Sequence, residues 1–322
     1  MGSYPNSIRH SNLLAIYLII PLALAITGID FCLFNGFLQR HLPRTPEIFL
    51  IYRLLFSFPH IVGSSTIFLD SAFLAYYRNR LLYGIPCIIF FALLLPRILG
   101  NTPFMALYLT LTAFHFAGQQ FGLVQMMNRF KYSEFFYWRT LGFFFTTWVH
   151  YELFLAGTIF SSQKPFLIGL SAILLFIFLL LTHQLSRKSP STVGRYYLWT
   201  NFLLVGVTQG FYLFGYPFFA VFVPQFIHNI TAFYFYIVHD TNRNSEHPHN
   251  LIYLALNFSR IPIWMTCPLT AVMMAFPFTF LDFKAPGEWP FTLILIFTFI
   301  HYYTDTFTWK YPSLHRTYVA FR

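Results

Sequence analysis

An all-α, polytopic transmembrane helix bundle of about ten spans is the fold class that this chain predicts, on three observations. Apolar residues make up 57% of its 322 residues and charged residues only 9%, whereas a soluble domain carries about a quarter charged. Apolar windows of membrane-crossing length recur from one end of the chain to the other. The basic residues divide unevenly between the two sides that these windows create.

The windows that can cross about 30 Å of hydrocarbon lie at 12–34, 48–77, 81–99, 103–127, 135–160, 164–185, 196–214, 217–240, 258–281 and 290–309. The first follows a polar N-terminal segment, 1–11, with one permanent charge, Arg9. Its apolar run is too long for a signal-peptide core and lacks a small-residue cleavage site, so it reads as a retained span. The seventh and eighth windows are joined only by Gly215-Tyr216-Pro217, and Pro262, Pro268 and Pro277 interrupt the ninth. The polar connection at 241–257 is too short to be a domain, so residues 1–322 are expected to form one membrane domain ending in a tail at 310–322.

Of the 20 Lys and Arg, Arg40, Arg44, Arg53, Arg97, Lys164 and Lys284 fall on one side, and the other 14 on the side that holds both termini. That asymmetry predicts a multi-pass protein of a cytoplasmic (inner) membrane with both termini in the cytoplasm. The net charge of +10 is scattered through short loops, which speaks for membrane orientation and against a nucleic-acid partner. Cys32, Cys87 and Cys267 have no paired spacing, so neither a disulfide framework nor a thiolate metal site is expected.

Ionisable side chains at mid-membrane depth are rare, because hydrocarbon offers them no partners. Four histidines meet that description: His60, His115, His228 and His301. Each lies about 11–12 residues from the outer end of its window, which at about 1.5 Å per residue places all four in one layer. A polar residue follows each at i+3 or i+4, on the same helical face: Ser64, Gln119, Thr231 and Asp305. His150, with neighbouring Glu152, reaches a similar depth and is a candidate fifth member.

Neutral imidazoles in an apolar bundle are good ligands for iron, copper or zinc, and the second ring nitrogen needs an acceptor. Asp305, Gln119 and Asp70 are the candidate acceptors, with Ser64 and Thr231 in the same layer. The plainer alternative is a set of interhelical hydrogen bonds, each worth about 0.6–2 kcal/mol. His183, at a helix end, and His239, His247 and His249, around the largest loop, read as interfacial or solvated.

Phe58-Pro59-His60 with the later Asp70, Phe114-His115-Phe116-Ala117-Gly118, Phe226-Ile227-His228 and Ile300-His301-Tyr302-Tyr303-Thr304-Asp305 resemble, in order and placement, the histidine motifs of the Brp/Blh family. Those proteins are membrane carotene dioxygenases whose four histidines are held to bind a non-haem iron. The resemblance implies His60, His115, His228 and His301 as Fe(2+) ligands, with dioxygen and a lipophilic, first of all carotenoid, molecule as substrates. It is confined to short motifs within residues 58–305, and Gln119 and Gln120 stand where the family carries an acidic residue.

Two other classes stay open. A haem protein for electron transfer would use facing histidines as axial ligands, and a Soret band would reveal it. A transporter would use the histidines and Asp305 as a proton or substrate pathway; no inverted repeat is visible in its support. The clustered histidine motifs of membrane desaturases are missing.

Overall fold

A computed structural model describes residues 6–155, 164–256, 260–284, 288–310 and 312–322. Residues 1–5 of the polar N-terminal segment, the part of the fifth window beyond 155 and the end of the 241–257 connection lie outside the described residues.

After a two-residue strand β1 (Ser7–Ile8), the chain runs through α1 (His10–Ile16), α2 (Ile19–Leu33) and the short α3 (Phe37–His41). A broken stretch follows: a 3-10 turn at Pro46–Ile48, α4 (Leu50–Tyr52), a π-helical turn at Arg53–Ser57, α5 (Phe58–Thr66) and a second 3-10 turn at Ile67–Leu69. The long helices are α6 (Ser71–Leu99), α7 (Asn101–Asn128), α8 (Tyr132–Phe154), α9 (Lys164–Lys188), α10 (Thr192–Leu213) and α11 (Pro217–Asn244). The short α12 (Leu251–Leu256) precedes α13 (Ile263–Lys284) and α14 (Glu288–Thr308), and β2 (Ala320–Phe321) closes the chain.

Among the described residues the regular structure is helical apart from β1 and β2, which pair in parallel with Ser7 opposite Ala320 and Ile8 opposite Phe321, and an isolated bridge between Asp70 and Asn250. Among the described residues, five helical stretches are long and apolar enough to cross a membrane: His10–Leu33, α6, α9, α11 and the Ile263–Asp282 part of α13. Helices α6 and α9 expose Leu82, Phe90, Ile98, Phe166, Phe176 and Leu180, the apolar surface that lipid would cover. Helices α7, α8, α10 and α14 coincide with further predicted windows but carry Gln119, Glu152, Asn201, Gln209 and Asp305 within them.

One predicted boundary is corrected. The sequence reading ends its second window at 77 and starts the third at 81, but the helix breaks at Asp70, which is extended (φ −86°, ψ 120°), and α6 then runs unbroken through Arg78 and Arg80. The reason is a cap: the Asp70 carboxylate accepts a hydrogen bond from the Ala72 amide at 2.9 Å, satisfying a donor that the first turn of a helix leaves open. That carboxylate also pairs with Arg243, 2.9 Å away. The 241–257 connection is likewise shorter than expected, since α11 reaches Asn244 and α12 occupies Leu251–Leu256.

Contacts divide the chain into two compact units. The first comprises Met1–Leu13, Pro46–Gly100 and Asn229–Arg322. In it α5 packs on α13 and α14, and α6 on α14, around Phe58, Ile61, Val62 and Ala275 and around Phe73, Tyr77, Leu81 and Phe307. The second comprises Leu14–Thr45 and Asn101–His228. There α7 packs on α8 and α10, and α9 on α8 and α10, over the fully buried Trp138, Phe145, Phe178 and Tyr197. The Trp138 indole donates to the Thr182 hydroxyl at 2.8 Å. Gly142 keeps α7 and α8 close, since a Cβ there would meet the Phe121 ring at 2.8 Å.

Candidate metal centre

In the first unit the site begins with a proline. Pro59 has no amide hydrogen, so the Leu55 carbonyl finds no α-helical partner, and the chain widens into the π turn at Arg53–Ser57. His60 follows on the first turn of α5, buried, with Nδ1 2.8 Å from the Ser57 carbonyl. A carbonyl only accepts, so this bond assigns the proton to Nδ1 and leaves the lone pair on Nε2.

His301, on α14, is fully buried, with Nδ1 2.9 Å from Ser64 Oγ. The Ser64 hydroxyl donates its one hydrogen to the Ile61 carbonyl at 2.7 Å, so it accepts from His301 Nδ1–H, and the His301 lone pair again sits on Nε2. The two rings stand 4.8 Å apart between centroids and perpendicular. Asp305, one turn beyond His301, places Oδ1 3.8 Å from the same Nδ1, longer than a hydrogen bond. Ser64 therefore serves His301 on α14 rather than His60 above it on its own helix. Its back-bond to Ile61 turns the hydroxyl's lone pairs away from α5.

In the second unit, His115 on α7 and His228 on α11 form a matching pair, with centroids 4.9 Å apart and rings at 79°. Phe116 stacks on His228 at 4.7 Å and 26°, fixing its plane. Gln119, one turn below His115, accepts from Gln120 Nε2 at 3.4 Å. Gln120 in turn accepts from the hydroxyls of Tyr17 and Tyr197, at 2.7 and 2.9 Å. Thr231 is fully buried, and its hydroxyl has no hydrogen-bond partner among the described residues.

His60, His115, His228 and His301 lie close together: one ring nitrogen from each falls within 4.8 Å of all the others, a grouping that can bind a metal ion. The donor set suits a transition metal. All four candidate ligands are imidazoles, which bind a metal as neutral donors, and both rings of the first pair have their second nitrogen tied to an oxygen acceptor, as metal-bound histidines do.

The other expected members go elsewhere. The grouping does not include His150, whose Nδ1 faces the Thr146 carbonyl at 2.7 Å. Glu152 accepts from Ser171 at 3.1 Å and Gln209 at 2.8 Å, not from His150. Asp70, with Ala72 and Arg243 as its partners, acts as a helix cap and ion-pair member. His183, His247 and His249 are exposed. His239, by contrast, is 1% exposed and bonded to Asp240 at 2.8 Å, not solvated as its place at the end of a window suggests.

No protein-family model matches the chain, and no curated protein or solved structure is significantly similar to it.

Proposed function

We propose that the chain is a non-haem iron oxygenase of a cytoplasmic membrane, distantly related to the Brp/Blh carotene dioxygenases, that oxidises a lipophilic substrate drawn from the bilayer. The observation that carries this reading is the grouping of four imidazoles with one ring nitrogen each within 4.8 Å. Iron held by histidines alone keeps coordination positions for dioxygen and substrate, and supplies the redox chemistry. The protein's part is to fix the ligands, through Ser57 behind His60 and Ser64 behind His301, and to exclude water with apolar walls.

The same grouping weighs against haem. Four imidazoles packed this tightly leave no space for a porphyrin ring to lie between one axial pair while the other two stand alongside. A transport pathway gains no support from them either, since Ser57 and Ser64 hold two of the rings in single tautomers.

The test compares wild type with the His301→Ala protein in carotenoid-producing cells and in total lipid extracts, with and without oxygen. An oxygen-dependent lipid product made by wild type alone is expected, from a protein that contains iron and shows no Soret band. Identical lipid and carotenoid profiles in all conditions would end the enzyme reading. The orientation follows from the 14-to-6 division of basic residues. A C-terminal reporter should accordingly report cytoplasm.

A further inference from the structure

The second unit contains a cavity of about 30 Å³. Phe116, Phe121, Val149, Leu204 and Val205 form its apolar walls, together with the ring of Pro224. Most of the polar groups that reach it are bonded within the protein. Thr146 donates to the Gly142 carbonyl at 2.8 Å and Thr208 to the Leu204 carbonyl at 2.7 Å. The Tyr17 hydroxyl donates its one hydrogen to the Gln120 side-chain oxygen at 2.7 Å and lies 3.1 Å from that of Asn201. His150, also in the lining, turns Nδ1 back to its own helix and keeps Nε2 as a single acceptor. A trapped water needs about two to four hydrogen-bond partners, and apolar cavities without them stay dry and take up xenon or small apolar molecules.

Size and position narrow the occupant. At about 30 Å³ the cavity has room for a small apolar molecule such as a diatomic gas. It also adjoins the His115–His228 pair. Phe116 lines the cavity and stacks on His228, Ala117 lines it two residues after His115, and Pro224 lines it one turn before His228.

We propose that this cavity holds dioxygen for the metal centre, with the Phe116 ring as the partition between the gas and the His115–His228 pair. The proposal rests on the oxygenase reading and deepens it, by giving the small apolar co-substrate a place separate from that of the lipid. An apolar cavity raises the local concentration of a gas that is sparingly soluble in water, and one acceptor is fewer than the about two to four partners that a trapped water needs.

The experiment measures xenon binding to the detergent-solubilised full chain by xenon NMR, and the KM for dioxygen with a carotenoid-containing total lipid extract, in wild type, Val149→Ile and Val205→Ile. These single-methylene additions fill the cavity with little risk to folding. Wild type should bind xenon and both variants should lose it. Their KM for dioxygen should rise about tenfold, the effect one methylene has in an apolar pocket, with iron content unchanged. Wild type that takes up no xenon, variants that bind xenon like wild type, or an unchanged KM in variants that have lost xenon would each overturn the proposal. Iron content and oxygen-dependent turnover of wild type are read on the same samples. Xenon bound by a chain that lacks iron or turnover therefore refutes the oxygenase reading, and with it the role of the gas, while the cavity itself stands.

Discussion

Two histidine pairs in the first unit have nearly the same spacing and opposite designs. His60 and His301 stand 4.8 Å apart and perpendicular; His239 and His315 stand 4.9 Å apart and almost parallel, at 18°. The parallel pair belongs to an aromatic cluster in which Phe73 stacks on His315 at 3.9 Å and also lies 5.4 Å from His239, while Trp309 meets His239 edge-on. Its Nδ1 atoms go to the Asp240 carboxylate and the Tyr77 hydroxyl. Arg243 lies over the rings of Phe73 and Tyr318 and pairs with Asp70. That pair is packing, an aromatic pile closed by charge. The perpendicular pair has two further imidazoles gathered at it. Proximity of histidines is therefore a weak signal, and the angle between rings with convergence of the remaining nitrogens is the stronger one.

Substitution separates the two designs most sharply. His60→Ala and His301→Ala should remove nearly all bound metal, whereas His239→Ala and His315→Ala should keep it and lose about 1–3 kcal/mol of stability instead, as read by metal analysis and thermal unfolding in detergent. Equal metal loss in all four variants would erase the distinction.

A smaller effect is expected from the residue that orients the perpendicular pair. Ser64→Ala deprives His301 Nδ1 of its acceptor and should lower metal affinity by about 10–100-fold. Metal titration checks this, and an unchanged affinity would show that Asp305, 3.8 Å away, suffices alone.

The smallest effect concerns pH at the stacked pair. Burial, helped by His239 and Arg243, holds His315 down to about 2 from its usual 6.5. Below pH 6.5 the unfolded chain takes up a proton that the folded chain refuses, so stability is full above 6.5 and declines as pH falls. Unfolding temperature should drop between pH 7 and pH 5 in wild type and change less in His315→Asn. Matching slopes for the two proteins would contradict the assignment.

The four histidines were legible in the sequence because depth in a membrane is counted along a helix and needs no knowledge of how helices pack. Their hydrogen-bond partners were less legible, because a helix period shows which residues share a face but not which neighbouring helix a side chain turns toward. Ser64 shows this, reaching His301 across 237 positions. The helix break at Asp70 was hidden for a similar reason. A capping Asp in an apolar run resembles any other polar interruption until Arg243 is seen beside it, 173 positions away. The pairing of β1 with β2 joins the two ends of the chain through two residues each, too few for any alternation to register. His315, alone in a polar tail, gave no sign of the stack that buries it.

The central claim is that one ion is held by imidazoles from His60, His115, His228 and His301, and X-ray absorption at the metal edge of the purified protein tests it most directly. The account predicts one iron per chain, nitrogen and oxygen neighbours only, and the outer-shell scattering of four imidazoles, reduced by one in each single His→Ala variant that retains metal. Sulfur in the first shell, fewer than three imidazoles, or a spectrum unchanged by His115→Ala would contradict it.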